Sequence, residues 1–506
     1  MITLPTRSKL DPLERYGLDV LLDLSRCPEV DDAGTGVVRL EITEADAGVA
    51  DVGKCAARRW HIERGDGVVR VPRPVLRRLG EIATGAAEQR STARDRHGRV
   101  PSTENVLVQQ NLVAEPVVAR AAAELRDAVI ASAGRRAVTL VAPWPDGRRW
   151  AAAITHDLDV VDRWPVFTAL RIAELAGKGE VRRVARTLGS AFAAVSRNPV
   201  QRALHALLED ERARGIVSSW FVLCGTPTLQ TMRAGDLTYL PEGRGAAAAL
   251  RALRERGCEI NLHGSFVTSE HHEVFAEQRR RLAGLVQQPV LGVRQHFLRL
   301  RPGITSLGMA GAGFRYDTSW GFPDRNGFRL GVGDVIPAWD GAGERALELQ
   351  EAPVIWMDRA LSKYARVEDP NAWIAEGLSL ARTCRDVAGL WVGVWHPNLT
   401  AALGFPDAPA AFAKLLDGLV AEEPFMAPLG RLVEWRVARR GVRVRGILPD
   451  GRPDAYTTAP TATTVTIVCA GKALLAARCR WLWPVRSRLW CRRMSGHCPG
   501  RRTRTG

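Results

Sequence analysis

The sequence predicts an α/β protein in which about seven βα units surround a parallel sheet, rolled wholly or in part into a barrel. Two observations predict it. Short apolar runs alternate with amphipathic helical stretches from about residue 150 to residue 420. These runs also end, one after another, on residues of catalytic type, as barrel strands do at their C-terminal ends. A length of 506 residues with 46% hydrophobic content fits two or three domains around a substantial core.

Residues 1–145 read as an N-terminal accessory unit, α/β or α+β, with apolar elements at 18–24, 36–42 and 68–71 and a helical period over 114–132. The segment 90–103 between them is polar and turn-rich. Residues 146–440 hold the alternating region. Strand-like runs fall at 150–155, 217–223, 258–262, 290–293, 313–316, 347–355 and 390–395. Helical patterns fall at 180–195, 200–214, 245–256, 273–285, 371–387 and 409–419. Residues 441–506 read as a basic tail of low order, with a Thr-rich stretch and then an Arg/Trp/Cys mixture.

The net charge is +16, but residues 441–506 carry 13 Lys/Arg against 2 Asp/Glu. The body is therefore only mildly basic, which argues against specific nucleic-acid binding by it. The tail could lie near anionic surfaces. Nine cysteines show no Cys-x-x-Cys spacing, which favours reduced thiols and a cytoplasmic location. The N-terminal residues lack an apolar leader, and no window reaches 18 uninterrupted apolar residues.

The strand ends give a short list. The first run delivers Asp157 and Asp159, the third His263, the fourth Arg294, the fifth Asp317 and the seventh His396. Two carboxylates at the mouth of a buried strand are costly unless they handle a metal or a proton. Alone they could cap a turn. Five strands delivering such residues at one end are hard to explain by turn chemistry.

The series Thr155-His156-Asp157-Leu158-Asp159, His263-Gly264-Ser265, Arg294-Gln295-His296-Phe297, Tyr316-Asp317-Thr318-Ser319-Trp320 and Val394-Trp395-His396 resembles the polysaccharide deacetylase family (carbohydrate esterase family 4, the chitooligosaccharide deacetylase homology domain). The motifs keep that family's order over roughly residues 145–435, and residues 97–131 resemble the region ahead of the catalytic domain in a subset of it. The resemblance implies a distorted (β/α)7 barrel and metal-dependent removal of an acetyl group from an acetylated saccharide. It carries the general base onto Asp157, a metal carboxylate onto Asp159 and the first metal histidine onto His263. Arg294 would orient the base, the Phe297 N–H would help hold the oxyanion, and His396 would be the general acid. Asp317 matches an acidic position only partly, since Ser319 stands where a second acid is common. The cofactor implied is a divalent metal, zinc foremost.

One position departs from the family. The second metal histidine is expected four residues after the first, where this chain has Val267. His296 is the preferred replacement, ahead of His271, His272 or Ser265 acting through water. Val267 also motivates an alternative, a catalytically silent carbohydrate-binding relative. A third reading keeps the machinery and moves it to another non-peptide C–N bond. Trp320, Trp339 and Trp395, near strand ends, are candidates to stack on a sugar ring. A cytoplasmic location would favour a precursor, lipid-linked or nucleotide-linked sugar over an exported polymer.

Overall fold

A computed structural model describes residues 2–3, 9–30, 38–44, 60–134, 138–162, 164–194, 198–229, 231, 236 and 239–447, with four short strands beyond them; side chains are described as far as residue 445. The molecule is of mixed α/β class, with a small N-terminal sheet and one large sheet.

The small sheet orders Ile2–Thr3, Val38–Thr43, Val68–Pro72 and Glu63–Gly65 as neighbours. Helices Val117–Ser132 and Arg73–Ala83 pack on it, and helix Pro12–Ser25, which packs on both, is started by a capping box in which Asp11 and Glu14 satisfy each other's backbone N–H groups. This helix crosses helix Arg73–Ala83 at two glycines. A Cβ on Gly17 would sit 2.0 Å from the Leu76 carbonyl oxygen, and one on Gly80 would sit 2.3 Å from that of Leu13. Only hydrogen at both positions lets the backbones come this near.

The large sheet contains β1 (Ala151–Leu158), β2 (Ser219–Leu223), β3 (Glu259–Gly264), β4 (Gly292–Gln295), β5 (Tyr316–Asp317), β6 (Ile336–Asp340), β7 (Arg345–Glu351), β8 (Trp356–Met357), β9 (Leu390–Val394) and β10 (Phe425–Met426). Their spatial order is β6-β7-β5-β4-β3-β2-β1-β9-β8, with β10 also pairing with β1. All neighbours are parallel except β6 with β7. Laid flat, β7 and β8 would stand roughly 34 Å apart at about 4.8 Å per strand. Residues 352–355 join them, a link that reaches at most about 18 Å. The sheet must therefore roll up. No described ladder pairs β7 with β8, so the hydrogen-bonded sheet stays open at that seam.

Helices Pro199–Ala213, Arg244–Glu255, Glu273–Val286, Pro370–Asp386 and Ala408–Ala421 match the periodic stretches to within a few residues. Helices Trp164–Gly177 and Leu429–Arg440 and strand β6 were not foreseen. The run at 347–355 covers most of β7 and the link after it, and β8 begins one residue beyond.

The expectation for residues 441–506 falls mostly outside the described residues. Its first residues are ordered: Val442 and Val444 are buried, and the Val444 N–H donates to the Glu29 carbonyl. Just before them, Arg436 reaches both Asp23 and Asp334 and ties helix Leu429–Arg440 to the N-terminal unit. Cys27, Cys224, Cys258 and Cys384 are buried free thiols, and no described helix is long and apolar enough to cross a membrane.

Candidate metal and acid–base centre

Strand β1 explains why its motif divides its residues. Successive side chains of a strand point to opposite faces. Thr155 and Asp157 point to one, and Asp159, just past the strand end, continues that face. His156 points to the other, where it stacks on Trp220 with ring centroids 4.2 Å apart.

Asp157 is buried and held by Arg294, whose Nη1 donates to Oδ1 at 2.6 Å. The guanidinium is fixed by further donations to Thr155 Oγ1 and to the Thr318 carbonyl and hydroxyl oxygens. Burial pushes the Asp157 carboxyl up, but Arg294 foremost, then His263 and His396, pull it below the ordinary carboxylate range.

Asp159, His263 and His296 each present one ligand-type atom, and these atoms lie within 4.8 Å of one another. Asp159 Oδ1 is 3.2 Å from His263 Nε2 and 3.7 Å from His296 Nε2. Tetrahedral zinc with bonds of about 2.0–2.1 Å puts its donors roughly 3.3 Å apart. The donor set therefore fits a small divalent ion. Both rings are oriented through their other nitrogen. His263 Nδ1 meets the Arg294 carbonyl at 2.9 Å, and His296 Nδ1 meets Asp236 Oδ1 at 2.5 Å. A carbonyl only accepts, so His263 carries a hydrogen on Nδ1, and Nε2 is the ring nitrogen turned towards Asp159.

His396 stands across the same space, with Nε2 3.6 Å from Asp159 Oδ2 and 4.0 Å from Asp157 Oδ2. Buried Asp358 grips it twice: Oδ1 lies 2.6 Å from Nδ1, and Oδ2 accepts the His396 backbone N–H at 2.6 Å. Burial disfavours the imidazolium, but Asp358 and then Asp159 and Asp157 outweigh it and raise the His396 pKa. His296 is likewise raised: burial opposes the charge, while Asp159 and Asp236 favour it.

Phe297 lines the same cleft, with φ 60°, and Leu298 follows at φ 52°. Two consecutive non-glycine residues in the left-handed region cost about 1–2 kcal/mol each. The bend is clamped from the N-terminal unit: Arg99 donates to the Phe297 carbonyl at 2.9 Å, and His97 stacks on the Phe297 ring at 4.9 Å.

Other sequence candidates lie elsewhere. The Asp317 carboxylate accepts from the Ser319 backbone N–H at 3.0 Å and from its hydroxyl, and its neighbour Thr318 is the residue that touches Arg294. Burial raises Asp317, and burial with the charge of Asp317 raises Glu351 well above the usual range. The Trp395 ring lies in the core against Trp356, Trp373 and Phe412, because strand alternation sends it away from His396. Trp320 is buried, with Arg329 over its ring and Gly85 against its edge. Trp339 packs edge-on against Tyr16. None of the three tryptophans lines the cleft. His271 faces solvent beside Glu273, His272 packs on Phe275, and the Ser265 hydroxyl accepts from Gln278.

Sequence reasoning missed Asp236 and Asp358. Asp358 directly follows the apolar run that ends at β8, a strand-end signal of the kind used elsewhere. Asp236 lies in a stretch without periodicity, and nothing local marks it.

No family model matches the sequence, and no curated protein matches it. Solved structures do. The "putative polysaccharide deacetylase from Mycobacterium smegmatis" is 20% identical over 57% of this chain and 91% of that one, with a TM-score of 0.39. The "probable Polysaccharide deacetylase from Pseudomonas aeruginosa PAO1" is 15% identical over 57% of this chain and 92% of that one, also with a TM-score of 0.39. The chitin deacetylase from the fungal pathogen Colletotrichum lindemuthianum is 12% identical over 62% of this chain and 94% of that one, with a TM-score of 0.31. Polysaccharide deacetylases are thus among the solved structures to which this chain is similar.

Proposed function

We propose that the chain is a metal-dependent hydrolase that removes an acetyl group from an N- or O-acetylated saccharide, and that its rolled sheet is a distorted (β/α)7 barrel with residues 1–145 as an accessory unit. One observation carries the reading. A ligand-type triad, a tethered carboxylate and a tethered histidine, contributed by different strand ends, face one common space.

Asp159, His263 and His296 would hold the divalent ion, with zinc favoured by the nitrogen-rich donor set. When bound, it supplies Lewis acidity for the acyl carbonyl and for water. Asp157, kept ionised by Arg294, accepts the proton of the attacking water. His396, kept protonated by Asp358, donates to the leaving amine or alcohol. The backbone N–H of Phe297 would help stabilise the oxyanion.

Acetate release from acetylated chitooligosaccharides, measured with and without a chelator beside metal analysis of the purified protein, tests this. Release that survives both chelation and Asp157→Asn would sink it. Val267 supports the competing reading, a silent saccharide binder. One bound zinc per chain together with turnover would exclude that alternative. Turnover of a linear or cyclic amide in place of the acetylated sugar would move the same machinery to another C–N bond.

A further inference from the structure

The segment that follows β8 brings more to the cleft than Asp358. Arg359 comes next, and the six-residue turn Ala360–Ala365, with the wide π-helical spacing, then presents Lys363 and Tyr364 to the same opening. Such turns are rare and concentrate at functional sites. Arg99 enters from the N-terminal unit, with both Nη atoms 3.4 Å from the Tyr364 hydroxyl.

These cations differ in their pairing. Arg99 has Asp95 at 2.7 Å, and nearby Arg171 has Glu174 at 2.8 Å. Among the described residues, no carboxylate lies within ion-pair distance of Arg359 or Lys363. The Lys363 side chain is exposed overall, but its ammonium is partly desolvated among protein atoms, and this with the adjacent positive charges of Arg359 and Arg96 draws it down to about 8. Asp159 acts on it in the opposite sense, against three arginines. Asp358 and Asp159 act on Arg359 through space and its guanidinium lies over the Phe405 ring, but neither acid pairs directly with it or with Lys363, so the two cations at the rim can receive an anionic group.

We infer that the substrate is an anionic acetylated saccharide, whose phosphate or carboxylate is held by Arg359 and Lys363 at the mouth of the cleft while its acyl group reaches the centre below. This rests on the proposed deacetylation for the role of the acyl group, and on the rim alone for the anion.

The test is calorimetric titration of the full-length protein with N-acetylglucosamine, its 1-phosphate and its uronate (N-acetylglucosaminuronic acid), with acetate release followed in parallel. One or both anions should bind at least about tenfold more tightly than the neutral sugar, since a charge-assisted contact is worth that much. The tighter anion identifies the group recognised, and its advantage should fall as salt rises. Arg359→Gln and Lys363→Gln should each reduce the ratio of anionic to neutral affinity about tenfold, and Lys363→Arg should retain most of it. Lys363 is exposed, so its variants test the inference even where Arg359→Gln fails to fold. Equal affinity for all three sugars overturns the inference, whether or not acetate appears. Selective anion binding without acetate release, with metal present, supports the rim and overturns the deacetylase reading.

Discussion

Two buried histidines flank the first strand of the sheet, and each has a carboxylate partner. His156 lies on the back face. Its Nδ1 meets the Trp395 carbonyl at 2.8 Å, and its Nε2 meets Glu211 at 2.6 Å. Glu211 is itself satisfied by the Ser218 hydroxyl at 2.6 Å. His396 lies on the front. Asp358 takes its Nδ1, and its Nε2 stands 3.6–4.0 Å from two carboxylates, beyond hydrogen-bond distance. Burial and a carboxylate partner are common to the two places. What differs is whether the polar valences are closed. A closed set is structure, and a set left facing a common space can bind and react.

The largest test of this contrast removes the base. Asp157→Asn keeps the shape and a hydrogen-bond acceptor for Arg294 but cannot take a proton. Hydrolysis should fall about 1,000-fold or more, with thermal unfolding and metal content little changed. A loss smaller than tenfold would mean that the open carboxylate on the front face is not the base.

Next comes the triad. His263→Ala or His296→Ala should each lower metal affinity by more than the roughly 10–100-fold seen when an outer-shell partner is removed. Competition with a chromophoric chelator measures it. Full metal retention by His296→Ala would show that another residue completes the set.

That third ligand shows how far the sequence could be read. The strand-end residues Asp157, Asp159, His263, Arg294 and His396 were legible because a buried parallel strand exposes polar side chains only where it ends. His296 was legible as a neighbour of Arg294, two residues on and therefore on the same side of the chain. The tryptophans were misjudged for a reason also present in the sequence. Trp395 and His396 are adjacent, and alternation forbids both from facing the cleft. By the same rule Asp317 and Thr318 point to opposite sides, and it is Thr318 that meets Arg294. The rolled sheet followed from the alternation of elements, but the separate β8 did not, because the strand-like run at 347–355 stops short of Trp356–Met357 and two residues are too few to show a strand period.

The outer carboxylates should show intermediate effects. Asp358→Asn leaves His396 without its charge partner and permits the wrong tautomer, so kcat should drop about 10–100-fold with metal content unchanged. Asp236→Asn should act the other way, lowering metal affinity about 10–100-fold and leaving kcat at saturating metal nearly intact. If both variants moved the same parameter, the two histidines would not have separate jobs.

The smallest effect on turnover belongs to the back face, where the largest effect on stability is expected. His156→Leu leaves Glu211 buried without its imidazole and removes the partner of the Trp395 carbonyl. Breaking such a pair from one side costs about 3–5 kcal/mol, which denaturant unfolding would register as a lower midpoint with a similar slope. Removing both partners as His156→Leu with Glu211→Leu should cost less than the sum of the single changes, because no charge is then stranded. Measured per folded molecule, kcat and metal content should stay within about twofold of the parent, since no ligand-type atom of the front face touches His156. A 100-fold loss of kcat in a fully folded His156→Leu protein would break the contrast, because a histidine with both nitrogens already occupied would then be controlling chemistry on the other side of its strand.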